Sequence, residues 1–226
     1  MVSFLAILIL GFFLGMRHAT DPDHVIAITT IVTRQRGVSK AGLIGVLWGL
    51  GHTFTIFIVG AAIILLKVEI PPRAGLTMEL AVGLMLILLG ILNLTGVLRW
   101  FQERFHSQTT TESLGYYNTW RPLVIGIVHG LAGSAAVALL VMATISNPWW
   151  ATGYLLIFGA GTIAGMMLIT GAIAMSLNYA SSKFDGWNRG MGIASGLLSM
   201  GFGLFLSYQI GFVDGLFTSH PQWTPR

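Results

Sequence analysis

Within an apolar run from Val2 to about Val32 lies the segment Arg17-His18-Ala19-Thr20-Asp21-Pro22-Asp23-His24, with five ionisable side chains in eight positions. A run this long reads as a membrane helix, because a span takes about 20 predominantly apolar residues. An Asp or Arg at the centre of such a helix costs about 2.5–3.5 kcal/mol on insertion scales. These groups must therefore pair and must face protein or a wet cavity. Pro22 sets the local geometry. It has no N–H, and its ring would clash with the carbonyl of His18 in a continuous helix. Asp21 as N-cap and Pro22 at the first helical position would open a second half-helix. The segment thus predicts a first helix broken between His18 and Pro22. Its full length, at 1.5 Å per residue, is about 45 Å, more than a straight crossing needs. The midpoint falls at Arg17-His18, which puts the cluster near the bilayer centre.

The rest of the 226-residue chain has the same character. Only 9% of residues are charged and 54% are hydrophobic, against about 25% charged in soluble domains. The mean hydropathy is +0.79. A soluble enzyme, a disordered chain and a nucleic-acid binder are excluded, and with them a nucleic-acid partner. The partners are the lipid bilayer, an ion and, as an open alternative, further copies of the chain. There is no cysteine, which excludes a thiol relay, a thiolate metal carrier and a disulfide scaffold. Six stretches are long and apolar enough to span: Val2 to about Val32, Ala41–Leu66, Leu76–Leu98, Pro122–Ile145, Trp149–Leu177 and Gly190–Gly211, here H1 to H6. The N-terminus lacks the basic start and small-residue cleavage site of a secretory signal. Arg34, Arg36, Lys40, Arg99, Arg104, Arg121, Lys183 and Arg189 follow the odd-numbered spans, against Lys67, Arg73 and Arg226 on the other side. The positive-inside rule puts the larger set in the cytoplasm of a bacterial or archaeal cell, with both termini outside. Trp100, Trp120, Trp149 and Trp150 suit interfacial anchors.

The two sides of the polar linker resemble each other. Gly15-Met16-Arg17-His18-Ala19 parallels Gly126-Ile127-Val128-His129-Gly130 at an offset of 111, and Gly49-Leu50-Gly51-His52 parallels Gly159-Ala160-Gly161-Thr162 at 110. In H3, Met78, Ala81, Gly83, Leu84 and Gly90 parallel Met191, Ala194, Gly196, Leu197 and Gly203 at 113. Ordered anchors at nearly one offset predict an all-α polytopic chain of two three-helix repeats. Repeat 1 is 1–98, a cytoplasmic linker 99–121, repeat 2 is 122–211 and a short tail 212–226. An odd number of spans makes the repeats inverted, an architecture of secondary transporters. Glycines four apart, such as Gly11/Gly15, Gly45/Gly49 and Gly126/Gly130, read as close helix packing.

Imidazoles and carboxylates suit Ni²⁺, Co²⁺ or Zn²⁺. His18 and His24 offer neutral nitrogen, and Asp21 and Asp23 offset a divalent charge. His52 lies mid-H2 beside Gly51, and His129 is the repeat counterpart of His18. Each has a bland alternative. Arg17 and Asp21, four apart, can simply neutralise each other, and Asp21 can be only a cap. For His52 or His129 alone, a buried histidine bonded to a carbonyl reads as well as a ligand does. Asn93 reads as an interhelical hydrogen-bonding residue, Met166 and Met167 as packing, and Asp214 and His220 as solvated.

With Arg17, the segment His18-Ala19-Thr20-Asp21-Pro22-Asp23-His24 resembles the R-H-A-x-D-A-D-H signature of the nickel/cobalt permease superfamily (NiCoT/NicO). Trp48-Gly49-Leu50-Gly51-His52-Thr53 resembles the family's L-G-H-S/T motif. His129-Gly130-Leu131-Ala132-Gly133-Ser134-Ala135-Ala136 is similar to the urease-accessory nickel permease branch. The resemblance implies a carrier of Ni²⁺ or Co²⁺ in which His18, Asp23 and His24 are needed for transport. It departs from the family in having six expected spans where members have eight. His129-Gly130-Leu131-Ala132 also stands where an acidic motif is usual. The absence of a His-rich loop favours uptake.

The expectation is therefore metal uptake by alternating access, with His18, His24 and His52 sharing one ion. Asp23 is a ligand or an acceptor holding an imidazole in its binding tautomer, Asp21 is a further candidate, and His129 a fourth contributor. No cofactor and no catalysis are expected, since the ion is cargo. The alternatives are a metal efflux carrier, an intramembrane metalloenzyme and a non-catalytic scaffold.

Overall fold

The computed structural model describes residues 3–33, 37–66, 70–95, 111–131, 142, 144, 145, 147–183 and 187–223. Among them there is no strand. The helices are α1 Phe4–His18, α2 Pro22–Val32, α3 Val38–Leu66, α4 Pro72–Thr95, α5 Thr111–His129, α6 Pro148–Lys183 and α7 Trp187–Tyr208. A π turn, Gln209–Val213, extends α7. Three helices begin at a proline, whose missing N–H would lack a helical partner there anyway. Gly37, at φ 104°, takes the left-handed conformation that turns the chain into α3.

The first helix is broken where the sequence predicts. α1 ends at His18, α2 starts at Pro22, and their axes differ by 55°. Among the described residues four further stretches are long and apolar enough to cross a membrane: Val38–Ile63, Pro72–Thr95, Pro148–Lys183 and Gly190–Val213. The expected H4 falls partly on 132–141, outside the described residues. Its start differs from expectation, because α5 begins at Thr111 and carries Pro122 inside it. The second half of the expected linker is thus helical. Its polar composition did not exclude a helix. Residues 99–110 of that linker lie outside the described residues. The molecule is apolar on its outside: Leu5, Ile9, Phe13, Phe54, Leu84, Leu88 and Leu204 are all exposed. That is the surface of a chain whose solvent is lipid.

The helices meet through glycines. A Cβ on Gly15 would run into the Phe158 carbonyl and the Thr162 N–H of α6, and one on Gly161 into the Phe12 carbonyl of α1. A Cβ on Gly126 would run into the Trp48 carbonyl and the His52 N–H of α3, and one on Gly51 into the Leu123 carbonyl of α5. The sequence offsets of 110–111 carry the first interface onto the second, contact for contact. Gly83 against Gly203 and Gly196 against Gly90 join α4 to α7 and exchange at an offset of 113. With lipid on the outside, close backbone approach supplies the dispersion energy that water would otherwise supply by exclusion. Asn93 reads correctly as interhelical, with Nδ2 donating to the Gly192 carbonyl at 2.9 Å and to Ser195 Oγ at 3.0 Å. Met166 is fully buried, whereas Met167 is 41% exposed on the outer face.

The tail is not simply solvated. It folds back so that Trp223 Nε1 donates to Glu79 Oε1 at 2.9 Å, with its ring against Gly75. The Asp214 carbonyl accepts from the Gln222 N–H at 2.9 Å. Of the two residues read as solvated, Asp214 is half-buried and His220 is exposed.

Candidate metal centre

The glycine contacts position the imidazoles. His18 follows Gly15 by one helical turn and ends α1, and His129 follows Gly126 by one turn and ends α5. Both helices thus end at the same place, with their negative dipole ends toward it. His52 sits beside Gly51, where α3 and α5 approach most closely. The break between α1 and α2 brings Asp21, Asp23 and His24 to the same point.

All six expected residues meet there. His18 Nδ1 donates to Asp21 Oδ2 at 2.8 Å, and the Nε2 atoms of His18 and His52 are 2.9 Å apart. Asp23 bridges two rings, accepting from His24 Nδ1 at 3.0 Å and from His129 Nε2 at 2.9 Å. His24, His52 and His129 are fully buried and His18 is 6% exposed. His24 Nε2, His52 Nδ1 and His129 Nδ1 have no hydrogen-bond partner. A buried polar atom without a partner costs free energy, so the cluster carries unused donor capacity. Trp48 stacks on His24 at 5.6 Å and meets His129 edge-on at 5.3 Å, while Phe158 lies 5.6 Å from His18. These buried rings pack directly against the imidazoles.

Two sequence readings are corrected. Asp21 occupies the N-cap position of α2, but its side chain makes no cap hydrogen bond. It is spent on His18, which fixes that ring's tautomer and leaves the Nε2 lone pair to accept from His52 Nε2. No ion pair joins Arg17 to Asp21 among the described residues, and Arg17 is exposed. The contacts of Trp48 and Phe158 with the imidazoles were not read from the sequence.

Chemically, the cluster is a nitrogen-rich donor set with one partly buried bridging carboxylate. It fits a borderline transition-metal dication better than Mg²⁺ or Ca²⁺, which take oxygen ligands.

No protein-family model matches the chain, and no solved structure matches it. Curated relatives do. The chain is 40% identical over 224 residues to the urease accessory protein UreH of Bacillus sp. (strain TB-90), covering 96% of each. It is 34% identical over 170 residues to the nickel transporter NixA of Staphylococcus aureus, covering 62% of this chain and 50% of that one. With the nickel transporter NicT of Mycobacterium tuberculosis it shares 29% identity over 209 residues, 74% of this chain and 55% of that one. The chain spans about half the length of both nickel transporters and nearly the whole of the Bacillus protein.

Proposed function

Because the chain belongs to the nickel/cobalt permease superfamily, in its urease-accessory branch, we propose that this multi-pass plasma-membrane protein carries Ni²⁺, or Co²⁺, into the cell. The ion is cargo, bound by His18, His24 and His52 with Asp23 and His129, and released by alternating access. No resident cofactor is needed. The observation that carries the reading is the buried set of four imidazoles and a bridging carboxylate at a helix break, with three ring nitrogens unpartnered. Alternating access, with inverted repeats 1–98 and 122–211, is supported by interhelical contacts that exchange at the repeat offset and by the use transporters make of such symmetry. Broken helices whose ends face the ion are likewise a transporter device. The three relatives above are named as transporters or as an accessory protein, not as catalysts, which favours the carrier over the intramembrane metalloenzyme.

The test is uptake by right-side-out vesicles, comparing Ni²⁺, Co²⁺, Zn²⁺ and Mn²⁺. Ni²⁺ and Co²⁺ should accumulate, and His24→Ala and Asp23→Ala should each abolish this while inserting normally. Wild-type uptake by both variants would overturn the site. Metal accumulation only in inverted vesicles would favour efflux.

A further inference from the structure

We infer that the cluster holds two adjacent ion positions, not one, with His24 as the ligand they share. The inference rests on the transport reading and concerns how the ion moves. Ligands at right angles about 2.1 Å from an ion lie about 3.0 Å apart, and opposite ones about 4.2 Å apart. A single octahedral site would therefore gather every donor within that span. The donors divide instead. One nitrogen each from His18, His24 and His52 lie within 4.8 Å of one another, and so do the donors of Asp23, His24 and His129, but the five residues do not close into one set.

Each group already contains a pair at the spacing of neighbouring ligands, bridged by a ring proton that a bound ion would replace. His18 Nε2 is 2.9 Å from His52 Nε2, and Asp23 Oδ2 is 2.9 Å from His129 Nε2. His24 belongs to both. Its Nδ1 lies 3.0 Å from Asp23 Oδ1, and its buried Nε2 is the nitrogen left without a partner. Its ring centroid is 4.6 Å from His18, 4.9 Å from His52 and 4.3 Å from His129, whereas His52 and His129 are 5.9 Å apart.

The two positions differ in charge. His18, His24 and His52 present three neutral nitrogens, and Asp23, His24 and His129 present two nitrogens and a carboxylate. With three protein ligands each, both leave a coordination position open. An ion in one can accept a donor of the other before it lets go, which keeps entry and exit both feasible. Asp21, at 37% side-chain exposure against 15% for Asp23, hangs on His18. The three-histidine position therefore adjoins the more open side of the break, and the Asp23–His129 position lies beyond His24. Two dications this close would repel, so one ion occupies the positions in turn.

The experiment uses the full chain in nanodiscs, loaded with Ni²⁺ and read by equilibrium binding and X-ray absorption, beside vesicle uptake. His52→Gln removes only the first position and His129→Gln only the second. Each should still bind one Ni²⁺ per chain, with an oxygen ligand from carboxylate in the first variant and an all-imidazole protein set in the second. Each should lose uptake about tenfold or more. His24→Gln should lose binding and uptake together. His18→Gln and Asp23→Asn repeat the two deletions should either variant fail to fold. Loss of binding by both single-position variants, or wild-type uptake by either, would overturn the two-position inference while leaving the transport reading intact. A wild-type chain that binds no Ni²⁺ or Co²⁺ would overturn both.

Discussion

Gly130→Ala tests whether the close approach of α3 and α5 sets the geometry of the centre. An added Cβ at Gly130 would lie 2.6 Å from the His52 carbonyl oxygen and 2.9 Å from Thr55 Cβ. Ordinary contact begins at 3.4 Å, so the two backbones must part by about 0.8 Å, the difference between 3.4 and 2.6 Å. The obstacle is main chain, which cannot swing aside as a side-chain tip can. Overpacking of this kind costs about 1–3 kcal/mol. The larger effect is on ligation, since metal–ligand distances hold to about 0.2 Å and the displaced backbone carries His52 itself. Gly201→Ala is the control, because nothing lies within 4 Å of its Cβ. Removing a helix-interior glycine there should stabilise by about 0.5–1 kcal/mol. Uptake by vesicles and thermal unfolding in detergent, run on both variants, separate packing from function. Gly130→Ala should insert, melt earlier and lose Ni²⁺ uptake by about tenfold or more, while Gly201→Ala keeps it. Equal uptake and equal melting in the two variants would refute the argument that backbone contact at Gly130 positions the imidazoles.

Asn93→Ala removes a side chain bonded to both Gly192 and Ser195, so it should cost about 0.6–1.7 kcal/mol in detergent unfolding without changing metal affinity. Protons and metal compete for the same ring nitrogens, so Ni²⁺ affinity in nanodiscs should fall as the pH is lowered, with protons released on loading; an affinity that rises with acidity would contradict nitrogen ligation. Trp223→Phe deletes the hydrogen bond to Glu79 while keeping an aromatic ring against Gly75. It should therefore loosen residues 214–223, seen as faster proteolysis of the tail, with about 1 kcal/mol or less lost in stability.

What the sequence determined by itself is what short-range chemistry controls. The break at Pro22 follows from a missing N–H and a ring that clashes one turn back. Five of the six expected spans, H1 as a broken pair and H2, H3, H5 and H6, follow from run length, and the donor inventory follows from the cost of charge in lipid. Pairings that depend on which helix faces meet had to come from tertiary structure. His18 meets His52 across 34 positions and Asp23 meets His129 across 106, through contacts set by Gly51 and Gly126. Four-residue spacing marks Gly126 as a packing residue but does not say which carbonyl it covers. Asp21 shows the same limit at short range. Its position announces a helix cap, yet a buried imidazole 2.8 Å away claims the carboxylate, because a charge-assisted hydrogen bond to a buried ring outweighs a local cap. The early start of α5 at Thr111 and the folding back of Trp223 were hidden for a related reason. Polar composition tells where a segment meets water, and only the packed fold tells whether that segment is helical and what it rests on.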